Sequence, residues 1–340
     1  MNVDLTTRYL GLSLRNPLVI AACPLTAQID KLLLVEQAGV AAFVMPSLFE
    51  EQIEQDTRSI EPVESEAESR YGPALSFFPG IDDFVTTPDA YLRLLEEAKK
   101  SLSVPVIASL NGVTPGGWTK FAALVESAGA DALELNMYSM ETDPGVTAQE
   151  IEERYLELVQ SVRAVTSVPL AVKLGPYFTA FANFSRRVAV AGADGLVLFN
   201  RFFQPDIDVR RFAVTPLLQL SDPSEMRLPL RWIAVLHGRV DVDLAATTGA
   251  HSANDVIKYL LAGASVVMVA SAVMQHGPEF ISKTLNELRS WMAQQEFSSI
   301  KSLCGMLDQQ SCPDPASFER ANYMKTLLQY IAPANRRHDA

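Results

Sequence analysis

Apolar residues fall into two recurring patterns along the 340-residue chain. Short, near-continuous runs rich in Val, Ile, Leu and Ala occupy 18–22, 40–45, 104–109, 131–136, 168–174, 195–200, 243–247 and 265–270. Runs of this length, bounded by turn residues, read as strands buried on both faces. Between most of them lie segments with apolar residues at helical spacing, at 90–102, 118–128, 148–165, 253–261 and 277–294. Four times a helical pattern ends in Ala-Gly and an apolar run starts at once: Ala38-Gly39, Ala128-Gly129, Ala191-Gly192 and Ala262-Gly263. Glycine just past a helix end takes the left-handed conformation that closes the last turn, so these are short helix-to-strand junctions. Strands joined through helices are parallel. Eight of them predict an α/β fold, a (β/α)8 TIM barrel, with its chemistry at the C-terminal strand ends. The alternative is an open doubly wound sheet, and the absence of G-x-G-x-x-G after the first strand weighs against its Rossmann form.

Two segments interrupt the repeat. Residues 47–87 form an insertion after strand two, rich in acid (Glu50, Glu51, Glu54, Asp56, Glu61, Glu64, Glu66, Glu68) and then aromatic at Phe77 and Phe78. So long a loop in a compact domain predicts a lid, placed at 71–84, with the acidic part solvated. Residues 296–340 form a C-terminal helical extension with helical spacing over 316–331, expected outside or below the barrel. The barrel domain is then 1–295.

Composition narrows the function. A net charge of −12, from Lys+Arg 28 against Asp+Glu 40, argues against nucleic acid or an anionic membrane as partner. No stretch approaches the roughly 18 apolar residues of a membrane span. Cys23, Cys304 and Cys312 are too few and scattered for a disulfide framework or a common metal site, so a reducing cytoplasm and no metal are expected.

The strand ends carry the candidate chemistry. The run 168–174 carries Lys173 at its mouth, just before Gly175-Pro176. A lysine ending a doubly buried strand reaches a cavity or a charged partner, or else snorkels into water. Strands seven and eight end in Ala246-Thr-Thr-Gly-Ala250 and Ala270-Ser271, where small residues let backbone N–H groups approach a phosphate. Asn136 ends strand four and Asn200 strand six. A flat heteroaromatic with a phosphate tail suits this set: amides and an ammonium read its edge, and Ala21-Ala22-Cys23 covers its face. A different reading makes Lys173 the Schiff-base residue of a phosphate-sugar lyase.

The opening Gly11-Leu-Ser-Leu-Arg-Asn-Pro17, followed by Leu18-Val-Ile-Ala-Ala-Cys-Pro24, resembles the dihydroorotate dehydrogenase family. So do Glu134-Leu-Asn-Met-Tyr-Ser139, Val172-Lys-Leu-Gly-Pro-Tyr177, Gly195-Leu-Val-Leu-Phe-Asn200 and Ala262-Gly-Ala-Ser-Val-Val-Met-Val-Ala-Ser271. The resemblance implies an FMN-dependent barrel that oxidises dihydroorotate to orotate in pyrimidine synthesis. It places Lys173 at the flavin edge, where a positive charge stabilises the reduced anion, and Asn136 and Asn200 toward flavin and substrate. It assigns phosphate binding to Thr248, Gly249, Ala270 and Ser271, with glycine more usual at positions 248 and 270. Ala22, Cys23 and Ser109 complete the expected cofactor contacts, and Ser139 falls on the catalytic base.

Three departures bear on the substrate. The loop after Ser139 reads Met140-Glu141 where the family has Pro-Asn, the lid reads Phe78-Pro79-Gly80 where Leu-Pro-Asn is usual, and Met45-Pro46 stands where soluble members place a lysine. Arg201 is the cation expected to meet the orotate carboxylate in their place, and Glu141 is a rival base. The open alternatives are another small dihydro-heterocycle as substrate, or a flavin-binding module without turnover. A small molecule is the expected partner; a homodimer stays open. So does the electron acceptor, since no iron-sulfur cysteine cluster implies one.

Overall fold

The computed structural model describes residues 3–50, 52, 87–112, 118–201, 205–215, 219–319, 323–324 and 327–328. Eight parallel strands close into a barrel: β1 (Leu18–Ile20), β2 (Ala42–Phe49), β3 (Val106–Asn111), β4 (Ala132–Asn136), β5 (Leu170–Leu174), β6 (Gly195–Leu198), β7 (Asp243–Ala246) and β8 (Val266–Val269). They pair in chain order, and β8 pairs with β1 to close the ring. The helices on the outside are α1 (Ile29–Gln37), α2 (Pro88–Ser101), α3 (Trp118–Ser127), α4 (Ala148–Arg163), α5 (Phe181–Val190), α6 (Arg227–Leu236), α7 (Ala253–Ala262), α8 (Ser271–His276) and α9 (Glu279–Gln294). The expected (β/α)8 architecture is therefore present. All four junction glycines have positive φ: 108° at Gly39, 90° at Gly129, 120° at Gly192 and 112° at Gly263.

Two layers of core follow from strand alternation. Side chains facing out, such as Leu133, Leu135, Val172 and Leu196, pack beneath the helices. Those facing in are small: Ala42, Ala132, Ala171 and Ala245, with Val44, Ile107 and Val197. Alanines on every side leave space on the barrel axis, and the N-terminal hairpin fills it from below. That hairpin (Thr7–Tyr9 with Leu12–Leu14) turns at Leu10 and Gly11, both at positive φ, which is the geometry a two-residue hairpin loop demands. Its Tyr9 is fully buried among the interior residues, and the Leu10 N–H donates to Asp243 at 2.7 Å.

Several boundaries differ from the sequence reading. Strand β3 runs on to Asn111, and β2 runs through Met45-Pro46 to Phe49, with its register to β3 shifting between Val44 and Ser47. Proline cannot donate to a sheet ladder, which accounts for the irregularity at that point. Beyond 294 the chain folds beneath the barrel: the N–H groups of Gly305, Leu307 and Gln309 donate to the carbonyls of Leu260, Leu261 and Ala234. The expected helix over 316–331 is a 3-10 turn at Pro315–Phe318, and residues 323–324 and 327–328 are helical; the rest of that span lies outside the described residues. The lid expected at 71–84, with its Phe77, Phe78, Pro79 and Gly80, also lies outside them.

Candidate active site

The C-terminal ends of β3, β4 and β5 set three polar side chains in a row. Asn111 is the Cα partner of Asn136, and Asn136 of Lys173. Residues in register on parallel strands share a face, and alternation from Ile107, Ala132 and Ala171 puts this row on the inner face. Asn111, Asn136 and Lys173 are only 6%, 8% and 8% exposed. Polar groups so enclosed at one end of an apolar barrel need hydrogen-bond or charged partners.

Asn136 and Lys173 are held by their neighbours. The Asn136 amide Nδ2 donates to Ser47 Oγ at 3.4 Å, and Ser47 Oγ lies 2.8 Å from Ser109 Oγ. Tyr91 donates its phenol to the Ser109 carbonyl at 3.1 Å and accepts the Ser109 N–H at 2.8 Å, which fixes that strand end. The Asn136 Oδ1 is buried without a hydrogen-bond partner. Leaving it so costs about 1–3 kcal/mol, so a ligand or water donor belongs there. Lys173 Nζ sits 3.6 Å from Oε1 of Glu134, itself fully buried two residues before Asn136. Lys173 thus has a charged partner. Nearby, burial pushes the Cys23 thiol up to about 11, against backbone N–H groups and the Lys173 charge, which lower it. Cys23 is therefore a neutral, packing thiol.

Asn200 lies just past β6. Its N–H donates to the Leu174 carbonyl at 2.8 Å, and its Nδ2 to the carbonyls of Met137 at 3.3 Å and Lys173 at 3.4 Å. The amide nitrogen clamps the ends of β4, β5 and β6 together.

The β7–α7 turn has consecutive left-handed residues, Thr248 at φ 75° and Gly249 at φ 74°. A Cβ on Gly249 would lie 2.6 Å from the backbone nitrogen of Met226, so no side chain fits at this position. Tyr259 fixes the turn from below, its phenol 2.6 Å from the carbonyl of Thr248 and 3.1 Å from that of Thr247. Across the mouth, Ser271 Oγ accepts the Ser221 N–H at 3.1 Å, and Ser221 Oγ lies 3.3 Å from His251 Nε2. These contacts tie the β7 turn to Ala270-Ser271 at the end of β8.

Ser139 is half-buried in the β4–α4 loop, its carbonyl 3.4 Å from the phenol of Tyr155. Burial pushes the Tyr155 phenol up, although hydrogen bonds to the backbone and side chain of Ser139 oppose the shift, so it stays protonated at neutral pH. Glu141 is exposed. It accepts the N–H groups of Asp143 and Thr142, both at 3.1 Å, and pairs with Arg154 at 3.2 Å. The Asp143 N–H chiefly, with Arg154, holds its carboxyl below the usual range. The Arg201 guanidinium is engaged by Glu225, with Nε 2.9 Å from Oε2 and Nη2 3.2 Å from Oε1, and by the Gln219 carbonyl.

The structure thus gathers Ala22, Cys23, Ser109, Asn136, Lys173, Asn200, Thr248, Gly249, Ala270 and Ser271 at one end of the barrel, on β1 and β3 through β8. Sequence reasoning missed Asn111, Glu134, Ser47 and Tyr259. The signal for Glu134 was present: a carboxylate inside the apolar run Ala-Leu-Glu-Leu-Asn must find a partner inside the fold.

Fold and site define a (β/α)8 enzyme working at its C-terminal mouth. Residues 78–292 match the family model described as dihydroorotate dehydrogenase. The chain is 28% identical, over 309 residues, to the dihydroorotate dehydrogenase B (NAD(+)) catalytic subunit of Methanothermobacter thermautotrophicus, covering 89% of this chain and 98% of that one. The proteins of the same name from Thermoplasma acidophilum and Shouchella clausii are 25% identical over 309 residues and 31% identical over 209; the first match covers 89% of this chain and 98% of the relative, the second 59% and 68%. The chain belongs to the dihydroorotate dehydrogenase family and is an oxidoreductase acting on a CH–CH bond.

Among the described residues, no helix is long and apolar enough to cross a membrane and no cluster of His, Cys, Asp and Glu is arranged to hold a metal ion.

Proposed function

We propose that the chain is an FMN-dependent dehydrogenase that oxidises dihydroorotate to orotate in pyrimidine synthesis. The observation that carries this reading is the buried row Asn111, Asn136 and Lys173 at the same barrel mouth as the Thr248-Gly249 turn. The donors present fit a flavin mononucleotide. Successive backbone N–H groups in left-handed residues favour an anion, as its phosphate requires. The unpartnered Asn136 Oδ1 suits a ring N–H, and the Lys173 ammonium suits a ring carbonyl or developing negative charge. Ala22 and Cys23 offer an apolar cover, since the Cys23 thiol is neutral.

When bound, FMN supplies the hydride acceptor. The remaining work falls to the chain. Ser139 takes a proton from the carbon beside the one that loses hydride. A free hydroxyl is a weak base, so the proton must pass on to water, because the neighbouring Tyr155 phenol stays protonated and donates to the Ser139 carbonyl. Asn136 and Asn200, buried at the ends of β4 and β6, orient flavin and substrate through their amide groups.

A second reading, a related dihydro-heterocycle without a carboxylate, is favoured by the Arg201 pairing. Its guanidinium already meets Glu225, and Met45-Pro46 replaces the lysine usual in soluble members.

Denaturing the purified protein and identifying the released cofactor tests the cofactor assignment. FMN is expected; FAD, or no flavin even after reconstitution, overturns it.

A further inference from the structure

The interior of the barrel contains a polar group that the reading above does not use. Glu134 is fully buried on β4, and neither carboxylate oxygen has a hydrogen-bond partner. Among the described residues its ion-pair partner is Lys173, at 3.6 Å, longer than a hydrogen bond. The Tyr9 phenol, rising from the hairpin below, is also buried without a partner, and its pKa is raised chiefly by burial and then by the charges of Glu134 and Asp243. The alanines at 42, 132, 171 and 245 supply the room. Burying a carboxylate costs several kcal/mol unless a counter-charge offsets it. Glu134 sits in register between Ser109 on β3 and Ala171 on β5, where the inner face passes from apolar residues to the polar mouth.

We infer that Glu134 is a positioning residue: its carboxylate, anchored to Lys173 from inside the barrel, holds the lysine ammonium at the cofactor edge and offsets its charge there. The inference rests on the flavin reading. Three features support it. Glu134 and Lys173 lie on adjacent strands, two residues and none below the Asn136–Lys173 register, so the pair spans the boundary between sealed interior and open mouth. Glu134 has 1% of its side chain exposed against 10% for Lys173, so the carboxylate is the fixed partner. The two charges sit in low dielectric, where each strongly affects what the other presents to a neighbour. A flavin beside this pair experiences a nearly neutral couple, and its reduced anion is less favoured than it would be by an unopposed ammonium.

The test compares Glu134→Gln, Lys173→Met and the double variant in flavin-loaded protein, reading the flavin midpoint potential at pH 6 and flavin retention. Glu134→Gln should shift the potential upward, because the ammonium then acts unopposed. Lys173→Met should shift it downward and lose flavin, since it leaves a buried carboxylate facing the ring. The double variant should recover much of the retention lost by Lys173→Met, a non-additivity expected of directly coupled groups. An unchanged potential in flavin-loaded Glu134→Gln, or additive effects, overturns the inference. Denaturant unfolding of the flavin-free forms provides a readout separate from the cofactor: both singles should be less stable than the double variant, and equal or additive losses count against coupling. A wild-type protein that carries no flavin contradicts the proposed function instead, which keeps the two failures apart.

Discussion

The phenol of Tyr259 lies 2.6 Å from the carbonyl oxygen of Thr248, at the turn assigned to the phosphate. Tyr259 is fully buried on α7, and burial, then the charge of Asp255, pushes its pKa well above the usual range, so it remains a donor at any working pH. A helix side chain therefore sets the conformation of a turn that its own sequence does not favour, because Thr248 is a β-branched residue at φ 75°. Tyr259→Phe keeps the ring and removes the donor. It should cost about 1–3 kcal/mol in denaturant unfolding, the usual penalty for an orphaned buried carbonyl. Flavin retention should fall with it, while the midpoint potential of the remaining flavin stays as in the wild type.

The β4–α4 loop separates two candidate bases. Ser139 is half-buried beside Tyr155, whereas Glu141 points to solvent and is already satisfied by two backbone N–H groups and Arg154. Ser139→Ala should slow flavin reduction by roughly 10²–10⁴, the range for a lost acid/base group, with flavin content unchanged. Glu141→Gln should leave the rate within a few-fold. Rapid-reaction kinetics on both variants checks the assignment, and a slow Glu141→Gln with a normal Ser139→Ala reverses it.

A third expectation concerns acid stability. Asp308, 4% exposed, accepts from the Ser311 N–H at 2.6 Å and lies 2.6 Å from His237 Nδ1. Burial alone would raise its carboxyl, but the contacts with His237 and Ser311 outweigh it and hold it below the ordinary value. A depressed folded-state pKa gives stability that is present above the unfolded value of about 3.9 and lost as pH falls through the folded one. The wild type should therefore lose part of its stability below about pH 4. Asp308→Asn should be less stable at pH 7 and show a flatter acid limb, which thermal unfolding across pH 3–7 measures.

Much of the barrel was legible because strands buried on both faces leave unmistakable apolar runs, and the four Ala-Gly junctions fixed where helices give way to strands. The ends of strands were less so. The run 104–109 breaks at Ser109, yet β3 continues to Asn111, because inner-face positions near the mouth tolerate polar residues. That error hid Asn111. Arg201 shows a different limit: its place beside Asn200 is written in the sequence, but the salt bridge to Glu225 depends on a turn some two dozen residues on. Tyr259 is missed for the same reason, since a tyrosine on a helical apolar stripe reads as core until its hydroxyl is seen to meet the Thr248 carbonyl.

The central claim is that this mouth oxidises dihydroorotate, and anaerobic mixing of the flavin-loaded protein with dihydroorotate tests it most directly. The account predicts bleaching of the bound flavin and release of an equal amount of orotate. A protein that retains FMN but shows neither, at any dihydroorotate concentration, contradicts it.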